Sequence, residues 1–226
     1  MFTMATPRAV RIGALLLGLV ALAGSVPAAP GGALGPEGGR PSAIEDLVWP
    51  DAPGTRIRRD QSGRPLTPET LRDKVAVVGF VSTQCPITCV VLARELDALA
   101  GAVPPSLRDR VVIVAVTVDP ARDDVAALRR FGEGMGIDPG RVRLVTSDPA
   151  ATAHQAALLR YPADRLPLPP PRLLVFDRRG DLAMIYGTEP VDRPRLLTDL
   201  ALLERFEAGI HAPPRPDGAP LPASNP

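Results

Sequence analysis

At 226 residues and 45% hydrophobic composition, the chain is long enough for one domain with a substantial core and short for two. Its formal net charge is +1, and its basic residues, nearly all arginine, are interspersed with acidic ones. No basic stripe or polybasic tract is present, which argues against nucleic acid as a partner.

Residues 1–29 read as a signal peptide or N-terminal anchor. Arg8 and Arg11 give a positive start, Ile12 to Gly24 an apolar core, and Ser25-Val-Pro-Ala-Ala29 a small-residue end. The apolar run falls short of the roughly 20 residues of a spanning helix, which favours cleavage. Export to the periplasm or another extracytoplasmic space is the expectation, with residues 12–24 as a tether to the cytoplasmic membrane if the leader is retained. Residues 30–42 form a Gly/Pro-rich linker, 43–210 the folded domain and 211–226 a disordered Pro-rich tail, because neither flank offers enough apolar surface to offset the entropy of ordering it.

Within the domain, the stretch around Leu47-Val-Trp49 reads as extended. Arg56 to Asp60 and Arg64 to Thr67 meet across Gln61-Ser-Gly63, which predicts a hairpin with glycine at the positive-φ position. Val75–Val81 is a continuous apolar run, the mark of a central strand covered on both faces. From Pro86 the period changes, and Cys89, Leu92, Ala93, Leu96, Leu99 and Ala100 share one helical face. A second buried strand over 111–118 ends at Asp119-Pro120, and Asp123-Asp124 open the next helix, whose apolar face is Val125, Leu128, Phe131 and Met135. A short strand at 142–145, a helix from about Asp148 to Leu159 and a proline-rich loop lead to an antiparallel pair, Leu173–Phe176 and Leu182–Tyr186. A last helix begins at Pro194. Strands that alternate with helices and then close in a hairpin and helix call for a three-layer α/β fold with a mixed central sheet flanked by helices, plus an N-terminal hairpin extension.

The chemistry centres on Cys85-Pro-Ile-Thr-Cys89. With Cys85 at the helix cap and Pro86 at the first helical position, free N–H groups and the helix dipole would lower the Cys85 thiol below the ~8.5 of a free cysteine. Cys89, one turn later, falls about 6 Å away by Cα, within disulfide range. The pair suits a structural staple, dithiol/disulfide exchange, or capture of a soft metal such as Cu(I). A loop this short makes a weak staple, so the two chemical readings lead.

Three stretches carry a resemblance: Gly63-Arg-Pro-Leu-Thr67, Gly79-Phe-Val-Ser-Thr-Gln-Cys-Pro-Ile-Thr-Cys89, and Val118-Asp-Pro-Ala-Arg-Asp123. In this order, behind the leader, they resemble the Sco/SenC family of thioredoxin-like copper chaperones, which assist assembly of the copper site of cytochrome c oxidase. The resemblance covers roughly residues 53 to 205. It implies a thioredoxin-like fold, with Cys85 and Cys89 as both the redox pair and the copper ligands. It also implies a protein partner, an oxidase subunit or other exported metalloprotein. The family's third ligand, a histidine, would fall within Leu168 to Arg172, where this chain has none; His154 and His211 read as surface residues. Pro171, before Leu173–Phe176, is similar to the cis-proline that stands beside the dithiol in thioredoxins, where its preceding carbonyl is free to pair with a substrate strand. Asp119 either faces the site or caps the following helix, and the Asp-Pro pattern favours the cap.

Two functions follow. One is copper delivery to, or thiol reduction of, a respiratory oxidase copper site. The other is a metal-independent thiol–disulfide oxidoreductase or thiol peroxidase-like enzyme.

Overall fold

The computed structural model describes residues 43–50, 58–85, 87–188 and 190–213. The leader, the linker over 30–42 and the tail beyond residue 213 lie outside the described residues. Among those described, no helix is long and apolar enough to cross a membrane.

A five-stranded sheet has the order β5-β4-β3-β6-β7. Its strands are β3 (Val75–Val81), β4 (Val111–Thr117), β5 (Val142–Val145), β6 (Arg172–Phe176) and β7 (Leu182–Gly187). β3, β4 and β5 run parallel, while β6 and β7 are antiparallel additions on the other side of β3. This is the mixed sheet expected from the apolar runs. β3 is buried along its whole length, and its side chains alternate between two cores. Val75, Val77 and Val81 face the helices α3 (Thr88–Ala102) and α6 (Arg193–Glu204) together with Leu128 of α4 (Val125–Met135). Ala76, Val78 and Phe80 face the opposite layer, which contains α1 (Ala43–Val48) and Leu71 of α2 (Pro68–Leu71). At Gly79 helix and sheet approach closely, since an added Cβ would stand 3.0 Å from Leu173 and 3.4 Å from Leu96.

The chain around Leu47 is helical, not extended. Ile44, Leu47 and Val48 are the buried face of α1, and the Trp49 N–H closes the turn on Glu45 O at 2.8 Å. The segment is too short to show a period, and its β-branched and aromatic end looks strand-like. α1 lies on α5 (Pro149–Leu158), where Gln155 Nε2 donates to Leu47 O at 3.0 Å.

The predicted hairpin is present as β1 (Arg58–Arg59) and β2 (Pro65–Leu66), with Gly63 at φ 78° in the turn. It covers the edge of β5. The Thr146 N–H donates to Arg59 O, Asp60 bridges to Val145, and the Gln61 carboxamide pairs with the strand as a neighbouring backbone would. Gln61 Nε2 donates to Val142 O, and its Oε1 accepts from the Leu144 N–H, both at 2.8 Å. An otherwise open edge is thereby closed to strand addition.

Asp148 starts α5. Its side chain accepts from the Ala151 N–H at 2.8 Å and pairs with buried Arg58. Burial raises its pKa, but the Ala151 N–H and Arg58 outweigh that and hold it below the ordinary aspartate value. Asp148→Ala is expected to cost about 1 kcal/mol through the lost cap. Because a depressed carboxyl stabilises above its unfolded pKa of ~3.9 and loses that contribution as pH falls through the folded value, the deficit should shrink in acid. Urea midpoints of the two proteins at neutral and acid pH measure both effects.

Candidate functional site at the cysteine pair

β3 delivers the chain to the site at its carboxyl end. After Val81 a tight turn forms: the Cys85 N–H donates to Ser82 O at 3.1 Å, and the Gln84 N–H to Ser82 Oγ at 3.2 Å. α3 begins at Thr88, so Cys85 is not its cap as expected; Ile87 holds that position. The reason is this turn, which uses the Cys85 N–H before a helix can start. The placement of Pro86 lies outside the described residues. Cys89 is the second residue of α3, so it is Cys89, and not Cys85, that lies at the helix start.

Cys85 and Cys89 are joined as a disulfide with Cα atoms 5.7 Å apart, close to the separation read from the spacing. Both are buried, Cys85 at 6% exposure and Cys89 at 2%. Thr88 Oγ1 stands 3.1 Å from Cys85 Sγ, within hydrogen-bond reach of the sulfur.

Asp123 holds the turn from behind. Buried at 1% exposure, it accepts the Thr83 N–H at 3.1 Å and the hydroxyls of Thr83 and Thr117. Thr117 in turn accepts the Asp119 N–H at 3.0 Å. This carboxylate therefore ties the Cys85 turn to the end of β4. The sequence marked Asp123 only as negative charge at a helix start, and that role belongs to Asp124, which caps α4 through the Ala127 N–H at 2.7 Å. Asp119 does not cap α4 either. Its carboxylate pairs with Arg122 at 2.7 Å, and its carbonyl accepts the N–H groups of Arg122 and Asp123.

Pro171 does not take the cis role expected of it. Among the described residues the cis peptide bond is Leu166–Pro167. The carbonyl before Pro171, on Pro170, is engaged internally by the Arg172 N–H at 2.8 Å. That is an inverse γ-turn, which the fixed φ of proline suits, and it removes the free acceptor that substrate pairing would need. Pro171 nonetheless lies beside the dithiol, in the wall of a groove of about 400 Å³ whose lining includes Thr88, Cys89, Tyr161 and Leu168.

Neither histidine joins the cysteines. His154 is in α5, 3.3 Å from Asp46 Oδ2, and His211 is exposed, 4.0 Å from Asp181. Asp181 follows the β6–β7 turn, at the end of the sheet away from Cys85. Among the described residues no group of three or more His, Cys, Asp or Glu side chains converges. Reduced, the site offers two thiolates, a donor set that favours Cu(I).

Residues 58–168 match the family model SCO1/SenC. Over this stretch, just under half of the chain, the sequence is similar to the SCO1/SenC family. A candidate copper-binding protein of Stutzerimonas stutzeri is 33% identical over 72 residues, which span 32% of this chain and 35% of that protein. The chain thus spans about a third of the length of that curated relative. Among solved structures, a candidate electron transfer protein from Aquifex aeolicus VF5 aligns with a TM-score of 0.56 at 17% identity, covering 71% of this chain and 95% of that one. Bradyrhizobium japonicum ScoI with copper bound aligns with a TM-score of 0.53 at 22% identity, covering 64% and 94%. At these identities the structures speak for the fold alone, a thioredoxin-like mixed sheet between helical layers.

Proposed function

We propose that this protein is an exported Sco-like accessory protein whose Cys85/Cys89 dithiol delivers copper to, or keeps reduced, the thiols of a respiratory oxidase copper site. The observation that carries the reading is the cysteine pair itself: two sulfurs within bonding reach, at the end of a central strand in the stretch similar to the SCO1/SenC family. Copper is the cargo, and the two thiolates would hold it as Cu(I). Periplasmic location and a membrane tether through residues 12–24 belong to the same proposal. The Stutzerimonas relative, a candidate copper-binding protein, supports it.

Anaerobic titration of the reduced protein with Cu(I) should give a one-to-one complex that Cys85→Ser abolishes. If no copper binds against a sub-micromolar competitor while the disulfide exchanges readily with a small thiol, the delivery reading falls. The second reading, a metal-independent thiol–disulfide oxidoreductase or thiol peroxidase-like enzyme, would then stand. It is favoured by the absence of histidine from Leu168 to Arg172 and from the surroundings of the disulfide.

A further inference from the structure

The loop between α5 and β6 holds no histidine, but it builds the groove over Cys89. Pro171, Leu168 and Tyr161 line it together with Thr88 and Cys89. Three arginines frame it: Arg160, Arg165 and Arg172, all exposed. Among the described residues none of the three has an ion pair, and no Asp or Glu lines the groove.

A concave apolar surface with uncompensated positive charge around it is complementary to a ligand of the opposite pattern. Guanidinium groups suit carboxylates in particular, because their planar fork can donate two hydrogen bonds to one. The wall is stiffened by Pro169, Pro170 and Pro171, so little ordering entropy is lost when a ligand docks. On the cysteine segment itself two further apolar side chains are open to solvent, Ile87 at 70% exposure and Val91 at 48%.

We propose that this groove is the docking site for an extended segment of the partner protein in which acidic residues alternate with apolar ones. Such a segment would be laid across Cys89, bringing the partner's own reacting groups to the dithiol. The proposal rests on the accessory reading above and adds the chemistry by which the partner is recognised.

The test uses the oxidised full chain and a fluorescently labelled, cysteine-free peptide alternating Glu or Asp with Phe and Leu, compared by anisotropy with its lysine counterpart. Neither copper nor thiol exchange enters the measurement, so its outcome is separable from that of the Cu(I) titration. The acidic peptide should bind roughly tenfold or more tightly than the lysine peptide at low ionic strength, with the gap closing as salt screens the charges. Changing Arg160, Arg165 and Arg172 together to Glu should reverse the preference, whereas Arg130→Glu, at an exposed position on α4, should leave it in place. Equal binding of the two peptides, or a preference that survives the triple change, overturns the proposal. So does arginine-dependent sedimentation with phosphatidylglycerol-containing vesicles without peptide binding, which would make the surface a membrane contact.

Discussion

Asp123→Ala is expected to lower the unfolding free energy by about 3 kcal/mol and to speed reduction of the Cys85–Cys89 disulfide. The buried carboxylate accepts one N–H and two hydroxyl hydrogens, the Thr117 hydroxyl fully buried and the Thr83 groups half-buried. Alanine strands these donors, and an unsatisfied buried polar group costs about 1–3 kcal/mol. The two threonine hydroxyls can turn toward other acceptors, but the Thr83 N–H is fixed in the backbone, so the sum falls short of three full penalties. Asp123→Asn keeps the size and one acceptor oxygen, and its loss should be smaller. The second effect follows from position: Thr83 lies inside the turn that ends in Cys85, and without its anchor the turn opens more often to an attacking thiol. Denaturant midpoints of the oxidised proteins test the first effect, and reduction rates with a small dithiol the second. A variant as stable as the parent would remove Asp123 as the anchor of the turn.

Asp60→Ala should cost more, about 3–5 kcal/mol, the range for removing one partner of a buried ion pair. Asp60 has no exposed side-chain surface, and it accepts four hydrogen bonds. The N–H groups of Ser62 and Arg64 donate to one oxygen at 2.9 Å, and the Nε groups of Arg64 and Arg143 to the other at 3.0 Å. Arg143 is the vulnerable partner. Burial lowers its pKa, and the attraction of Asp60 works against that burial. An arginine cannot shed its proton in a protein, so without Asp60 its half-buried charge keeps only the Arg64 and Pro65 carbonyls as partners. Replacing Arg143 by leucine in the Asp60→Ala background should therefore recover part of the loss, and a double-mutant cycle gives the coupling between the two. Additive effects would mean that the pair does not interact.

Much of the fold was legible because its strands are covered on both faces. Val75–Val81 and Val111–Thr117 are unbroken apolar runs that admit few alternatives, and Gly63 declared the hairpin through the conformation its turn requires. α1 was not legible, since six residues cannot display a helical period. The site was half legible. The cysteine spacing gave the separation of the pair, but the start of α3 depended on where the Cys85 N–H is spent, and that is decided by Ser82, a residue with no distinctive pattern. Pro171 was misread for a related reason: whether its neighbouring carbonyl is free is a matter of the γ-turn formed with Arg172. The groove was invisible because Arg160, Arg165 and Arg172 are separated by ordinary loop residues, and only the return of the chain to β6 brings them around Cys89.

The hairpin that covers β5 has a kinetic consequence. The Gln61 bonds to Val142 and Leu144 join residues 81 and 83 apart in sequence, and Asp60 reaches Arg143 across 83. Contacts of such separation carry a large loop-closure cost, and at the edge of the sheet they are expected to form late, after the central strands have paired. Lesions there act on the way out: Asp60→Ala should raise the unfolding rate nearly in proportion to its free-energy cost and leave refolding almost unchanged. That outcome would make the hairpin a latch that governs how long the folded domain survives, with little part in how fast the domain is made.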